Sequence, residues 1–156
     1  VITLRTCGKA LGCEGALVCA PQVVKDFLVN RGRGFIFSTA PSPLMAAVAR
    51  AALDIVRDRT DLCDALWQRV RLAESLLAPL GASVAGSQII PLIVGPDDRT
   101  RALASRLQDA GYDVRGIRPP TVPNGTGRLR ISITNNAALA DIEGLAAVLA
   151  EASVAG

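Results

Sequence analysis

The sequence predicts an α/β protein. Short apolar runs bounded by glycine and proline alternate with longer stretches whose apolar residues recur every three and four positions, the marks of strands and amphipathic helices. The second half reads in the order β-α-β-β-α. The core material is also set: half of the 156 residues are hydrophobic but only 3% are aromatic, so Ala, Leu, Val and Ile must fill the interior. That length is enough to bury a real core. Composition divides the chain into an opening segment with a lysine loop (residues 1–41), connecting helices (42–80) and a small C-terminal α/β domain (81–156).

Taken in order, Val1, Ile2 and Leu4 form an apolar run that leads into Thr6-Cys7-Gly8-Lys9-Ala10-Leu11-Gly12. Gly8 and Gly12 bracket Lys9, so the lysine sits in a loop that can close tightly, where a larger side chain would clash. A solvated turn lysine explains this, and so does an amine poised to bond with a carbonyl cofactor. Ala16 to Ala20 predicts a buried strand, and Pro21 suits the first position of a helix striped with Val23, Val24, Phe27 and Leu28. Asn30 to Gly34 ends that helix. Phe35 to Thr39 predicts an extended segment, which Pro41 and Pro43 stop.

Leu44, Ala47, Val48, Ala51, Ala52, Ile55 and Val56 predict a helix. After a polar break at Arg57 to Asp61, Leu62, Cys63, Leu66, Val70, Ala73 and Leu77 predict a second, running to about Pro79. Gly81 to Gly86 marks a boundary. Gln88 to Val94 is a predicted strand, and Pro96-Asp97-Asp98 a turn capping a helix from about Thr100 to Ala110, with Gly111 at its C-terminus. Tyr112 to Ile117 is a second strand. Arg118 to Gly127 carries too many prolines for a sheet interior. Arg128 to Thr134 is a third strand, with Leu129, Ile131 and Ile133 on one face and Arg128, Arg130, Ser132 and Thr134 on the other. A solvated face explains the two arginines, and so does a carboxylate site, since guanidinium grips carboxylate through two parallel hydrogen bonds. Asn135 or Asn136 is expected to cap a last helix with Leu139, Ile142, Leu145 and Leu149 inward.

The net charge of +3 comes without a basic run interleaved with aromatics, which argues against a nucleic-acid partner. No apolar stretch is long enough to cross a bilayer and no secretory signal is visible, so no membrane partner is expected and the cytoplasm is the expected location. The absence of histidine removes the commonest general base and the commonest metal ligand, and no metal site is expected. Cys7, Cys13, Cys19 and Cys63 match no zinc spacing and are expected to be reduced and mostly buried. A chain that opens on Val1 rather than methionine reads as processed, or as a piece of something longer.

Four stretches carry a resemblance that spans nearly the whole chain: Thr6 to Gly12; Asn30-Arg-Gly-Arg-Gly-Phe-Ile-Phe-Ser-Thr39; Ser87 to Pro91; and Ile117-Arg-Pro-Pro-Thr-Val-Pro123 with Gly125-Thr-Gly-Arg-Leu-Arg130. In this order they resemble the pyridoxal-phosphate α-oxoamine synthases. The Arg-Pro-Pro-Thr-Val-Pro loop favours the biotin-pathway branch, which condenses L-alanine with pimeloyl-CoA or a pimeloyl-carrier protein. The resemblance implies the C-terminal portion of a fold-type I PLP-dependent transferase: the end of the large domain plus the small domain. It implies pyridoxal 5'-phosphate as cofactor, Lys9 as the catalytic lysine that holds it, and Thr6 on its phosphate. Ser38 and Thr39 would reach the phosphate in the neighbouring subunit of a homodimer. Arg130 would pair with the amino-acid carboxylate, with Thr121 and Arg118 near the substrate. The family protein is longer, and its other half supplies the ring-stacking histidine and an aspartate on the pyridine nitrogen, so an isolated chain of this length is expected to be inactive. Where the family often has a histidine after the Arg-Leu-Arg strand, this chain has Thr134-Asn-Asn-Ala137. Competing expectations are the glycine-using relatives, 2-amino-3-ketobutyrate CoA ligase and 5-aminolevulinate synthase, and a non-catalytic α/β binding domain.

Overall fold

A computed structural model describes residues 1–154. Its contacts divide between Thr60 and Asp61, inside the expected connecting segment, giving two compact units.

In the first unit, β1 (Thr3–Thr6) and β2 (Ala16–Cys19) form an antiparallel hairpin in which Thr6 faces Ala16. β2 is a strand as expected but is exposed throughout rather than buried, because the hairpin is a two-stranded sheet with no described layer over β2. α1 (Gln22–Arg31) follows with Pro21 at its N-cap, one place earlier than expected, and with none of its residues buried.

The expected extended segment at Phe35–Thr39 is instead helical over α2 (Arg33–Ile36). Aromatic and β-branched residues suggest a strand, but local hydrogen bonds prevail. Phe35 N and Ile36 N both donate to Gly32 O at 2.9 Å, and Phe37 N donates to Arg33 O at 3.0 Å. Gly32 permits this junction, since a Cβ there would lie 2.5 Å from Leu28 O. α3 (Pro43–Asp58) begins with Ser42 accepting from Leu44 N and Pro43 at its first position.

The second unit opens with α4 (Thr60–Leu77) and a 3-10 turn at Ala78–Leu80. β3 (Ile89–Gly95), β4 (Arg115–Ile117) and β5 (Gly127–Ser132) form an antiparallel sheet in the order β3-β5-β4. Pro91 is tolerated within β3 because β3 is an edge strand. α5 (Asp97–Asp109) and α6 (Leu139–Val154) complete the β-α-β-β-α order. The core joins Val70, Ala73 and Leu77 of α4, Ile90 and Leu92 of β3, Leu107 of α5, Leu129 and Ile131 of β5, and Ile142, Leu145 and Leu149 of α6.

Three local expectations are corrected here. Asp97 and Asp98 lie in the first turn of α5, and Pro96 is its N-cap without a side-chain cap bond. Asn135 and Asn136 do not cap α6. Asp141 accepts from Ala138 N at 2.7 Å in that role, while the Asn135 amide donates to Leu62 O at 2.9 Å. Leu139 is 38% exposed rather than inward.

Candidate active site

In the first unit, Lys9 occupies the loop between β1 and β2. Cys7 N donates to Gly15 O at 2.9 Å and Cys13 N to Cys7 O at 3.1 Å, closing the loop at its base. At its tip, Gly12 N donates to Lys9 O at 3.0 Å, with Gly12 in the left-handed region at φ 62°. The Cys7 and Cys13 side chains turn inward against Ala49 and Leu11. Burial pushes the Cys13 thiol above its ordinary range, and the neighbouring Cys7 pushes it further the same way. The loop is thus pinned by its cysteines while the Lys9 side chain stands exposed, with no hydrogen bond or ion pair to its amine among the described residues.

Thr6 ends β1 with its side chain exposed. Ser38 follows α2 and donates its hydroxyl to Gly34 O, and Thr39 is exposed beside it. No hydrogen bond joins this pair to the Lys9 loop among the described residues.

In the second unit, the sheet has two unlike faces. Ile90, Leu92, Leu129 and Ile131 face the helices, while Pro91, Arg130 and Arg115 form one row across the opposite face, next to the row Ile93, Arg128 and Ile117. Three guanidiniums therefore share the open face, in different states. Arg115 is tied to Asp113 by two contacts, Nε–Oδ1 at 2.8 Å and Nη2–Oδ2 at 3.2 Å. Arg128 turns back to Thr126, donating from Nε to its carbonyl at 3.1 Å and from Nη2 to its hydroxyl at 3.3 Å. Arg130 is exposed and unpaired among the described residues.

Thr126 Oγ1 donates to Pro123 O at 2.7 Å, and Thr121 N to Arg118 O at 3.0 Å, so the loop after β4 is folded on itself, with a cis Pro119–Pro120 bond. Thr121 and Arg118 are both exposed on it. The expected site residues thus fall into two groups: Thr6, Lys9, Ser38 and Thr39 in the first unit, and Arg118, Thr121 and Arg130 in the second. The sequence reading missed Arg115, Asp113 and Thr126. The signal for Arg115 lay in strand pairing, which places it opposite Arg130 and which no single strand reveals.

The chain's donor set fits pyridoxal 5'-phosphate. A primary amine with no competing partner stands on a loop held from within, and the exposed hydroxyls of Thr6 and Thr39 are of the kind that bind phosphate. The aminotransferase class I and II family model matches residues 1–149, and the chain belongs to that family of PLP-dependent transferases. An 8-amino-7-oxononanoate synthase from Anaeromyxobacter dehalogenans is 40% identical over 152 residues, covering 96% of this chain and 38% of that protein. A solved serine palmitoyltransferase carrying PLP superimposes with a TM-score of 0.87 over 99% of this chain and 40% of its own, at 23% identity. A solved 8-amino-7-oxononanoate synthase from Francisella tularensis gives 0.84 over 97% and 45%, at 22% identity. At such identities the structural matches show the fold, that of a C-terminal part of a fold-type I enzyme. The chain spans about 40% of the length of the curated relatives it matches.

Proposed function

We propose that this chain is part of an 8-amino-7-oxononanoate synthase, which condenses L-alanine with a pimeloyl thioester and releases carbon dioxide and the thiol. The observation that carries this reading is the 40% identity over 152 residues to a relative of that name. The Arg130 guanidinium, unpaired among the described residues of the open sheet face, adds to it.

Bound PLP would supply an electron sink that makes the α-proton of alanine removable. Lys9 would hold the cofactor through its side-chain amine and would be the group that accepts that α-proton. Thr6 would donate to the phosphate, and Thr39 would do so from the neighbouring subunit of a dimer, joined by Ser38 once its hydroxyl turns away from Gly34 O. Arg130 grips the alanine carboxylate through its two-pronged donor and so orients the bonds at the α-carbon. Thr121 and Arg118 contact substrate from the proline loop. The pimeloyl group arrives on coenzyme A or on a carrier protein, and the enzyme works in the cytoplasm.

The test uses the full-length protein. Borohydride reduction in the presence of PLP, followed by peptide mapping, is expected to label Lys9, and Lys9→Ala to lower turnover by about 10³-fold or more. Label on another lysine overturns the site. A preference for glycine over alanine in the product overturns the biotin-pathway assignment.

A further inference from the structure

The open face of the β3-β5-β4 sheet holds more positive charge than one carboxylate requires, and one of its three guanidiniums is already paired with a carboxylate. Arg115 faces Arg130 across the ladder, which puts their Cα atoms about 5 Å apart, with both side chains on one side of the sheet. Two free guanidiniums at that spacing would make a clamp for a dianion. Asp113 opposes this by holding Arg115 through both carboxylate oxygens. On the adjacent row, the carbonyl and hydroxyl of Thr126 hold Arg128. Arg118 lies outside the ladder, on the loop after β4.

We propose that Asp113 sets the charge specificity of this face. By pairing with Arg115 it leaves Arg130 as the cation of that facing pair without a carboxylate partner among the described residues, so the site gains less from a second carboxylate on the amino acid than two free arginines would give. The proposal rests on the reading of Arg130 as the carboxylate anchor. Asp113 touches no substrate; it acts through the arginine it holds. Specificity here works by withholding a second attraction, since a ligand discriminates between partners only through differences in interaction.

The experiment titrates the isotope-labelled chain with acetate and with succinate, following the Arg130 Nε–H resonance. The unsubstituted chain is expected to bind the two within about a factor of two, the statistical advantage of two carboxylates. Asp113→Asn leaves Arg115 free and is expected to raise the succinate-to-acetate affinity ratio about threefold, the size of an exposed ion pair. Adding Arg115→Gln to Asp113→Asn should abolish that gain. Asp113 is 75% exposed, and the backbone amide spectrum verifies that the variants fold. If both ligands shift Arg130 but the ratio stays unchanged in Asp113→Asn, the proposal is overturned and the anchor stands. If neither ligand moves the Arg130 resonance in any variant, the anchor reading fails and the proposal falls with it.

Discussion

At the scale of single residues, partnership matters more than position. Among the described residues the Lys9 and Arg130 side chains have no hydrogen-bond or ion-pair partner, whereas Arg128, two residues from Arg130 and on the same face, is engaged by Thr126. Period-two alternation placed both arginines on one face, but which of them is free depends on how the following loop curls back. The cysteines show a similar limit. Cys7 and Cys13 are buried as expected, while Cys19 and Cys63 are exposed, and all four are free thiols. The fold keeps the proton on Cys13 above the ordinary thiol range. The stability linked to that thiol is therefore fully present below the ordinary value and is lost as pH rises through the raised one. Alkylation followed by mass spectrometry across pH is expected to modify Cys19 and Cys63 first and Cys13 only under more alkaline conditions. Equal modification of Cys13 and Cys19 near neutral pH would contradict this.

At the scale of elements, periodicity located the long helices and the second-unit strands, because burying one face demands a regular spacing. It failed at α2, where Phe-Ile-Phe suggests a strand but Gly32 and nearby carbonyls favour a helical turn. It also could not foresee how tightly α5 packs on the sheet. Thr100 is fully buried and donates to Pro96 O at 2.8 Å. A Cβ on Gly127 would lie 2.5 Å from Thr100 Oγ1 and 2.9 Å from Gly95 O. Neither the buried threonine nor the carbonyl can easily retreat. Gly127→Ala is expected to destabilise the second unit by about 2–3 kcal/mol in a denaturant melt. Gly144→Ala should cost less, because a Cβ there meets the hydroxyl end of Tyr112, a side chain that can swing aside. Equal losses from the two variants would refute that ordering.

At the scale of the whole chain, the two units differ in how much interior they possess. The second has a core drawn from helices and sheet alike, whereas the buried apolar residues of the first are Cys7, Cys13 and Ala49. Phe27, Phe35, Phe37 and Leu44 of the first unit are each at least 64% exposed. Local stability follows buried contacts, so hydrogen exchange should separate the units. Amides of β5 and α5 are expected to exchange about 10³-fold more slowly than those of β1 and β2. Comparable protection in the hairpin would show that it draws stability from elsewhere. This asymmetry was poorly legible in the sequence: Val23, Phe27 and Leu28 look like an inward stripe, and only the coordinates show that α1 buries none of its residues.

β5 lies in the middle of its sheet, flanked on both edges by hydrogen-bonded neighbours. The root of Arg130 is therefore fixed by backbone on either side, whereas the proline-rich connection ahead of it is held by its own turns. Exchanging residues 118–126 for another loop should therefore leave the Arg130 backbone in place, while releasing the Arg128 guanidinium if the Thr126 hydroxyl is lost.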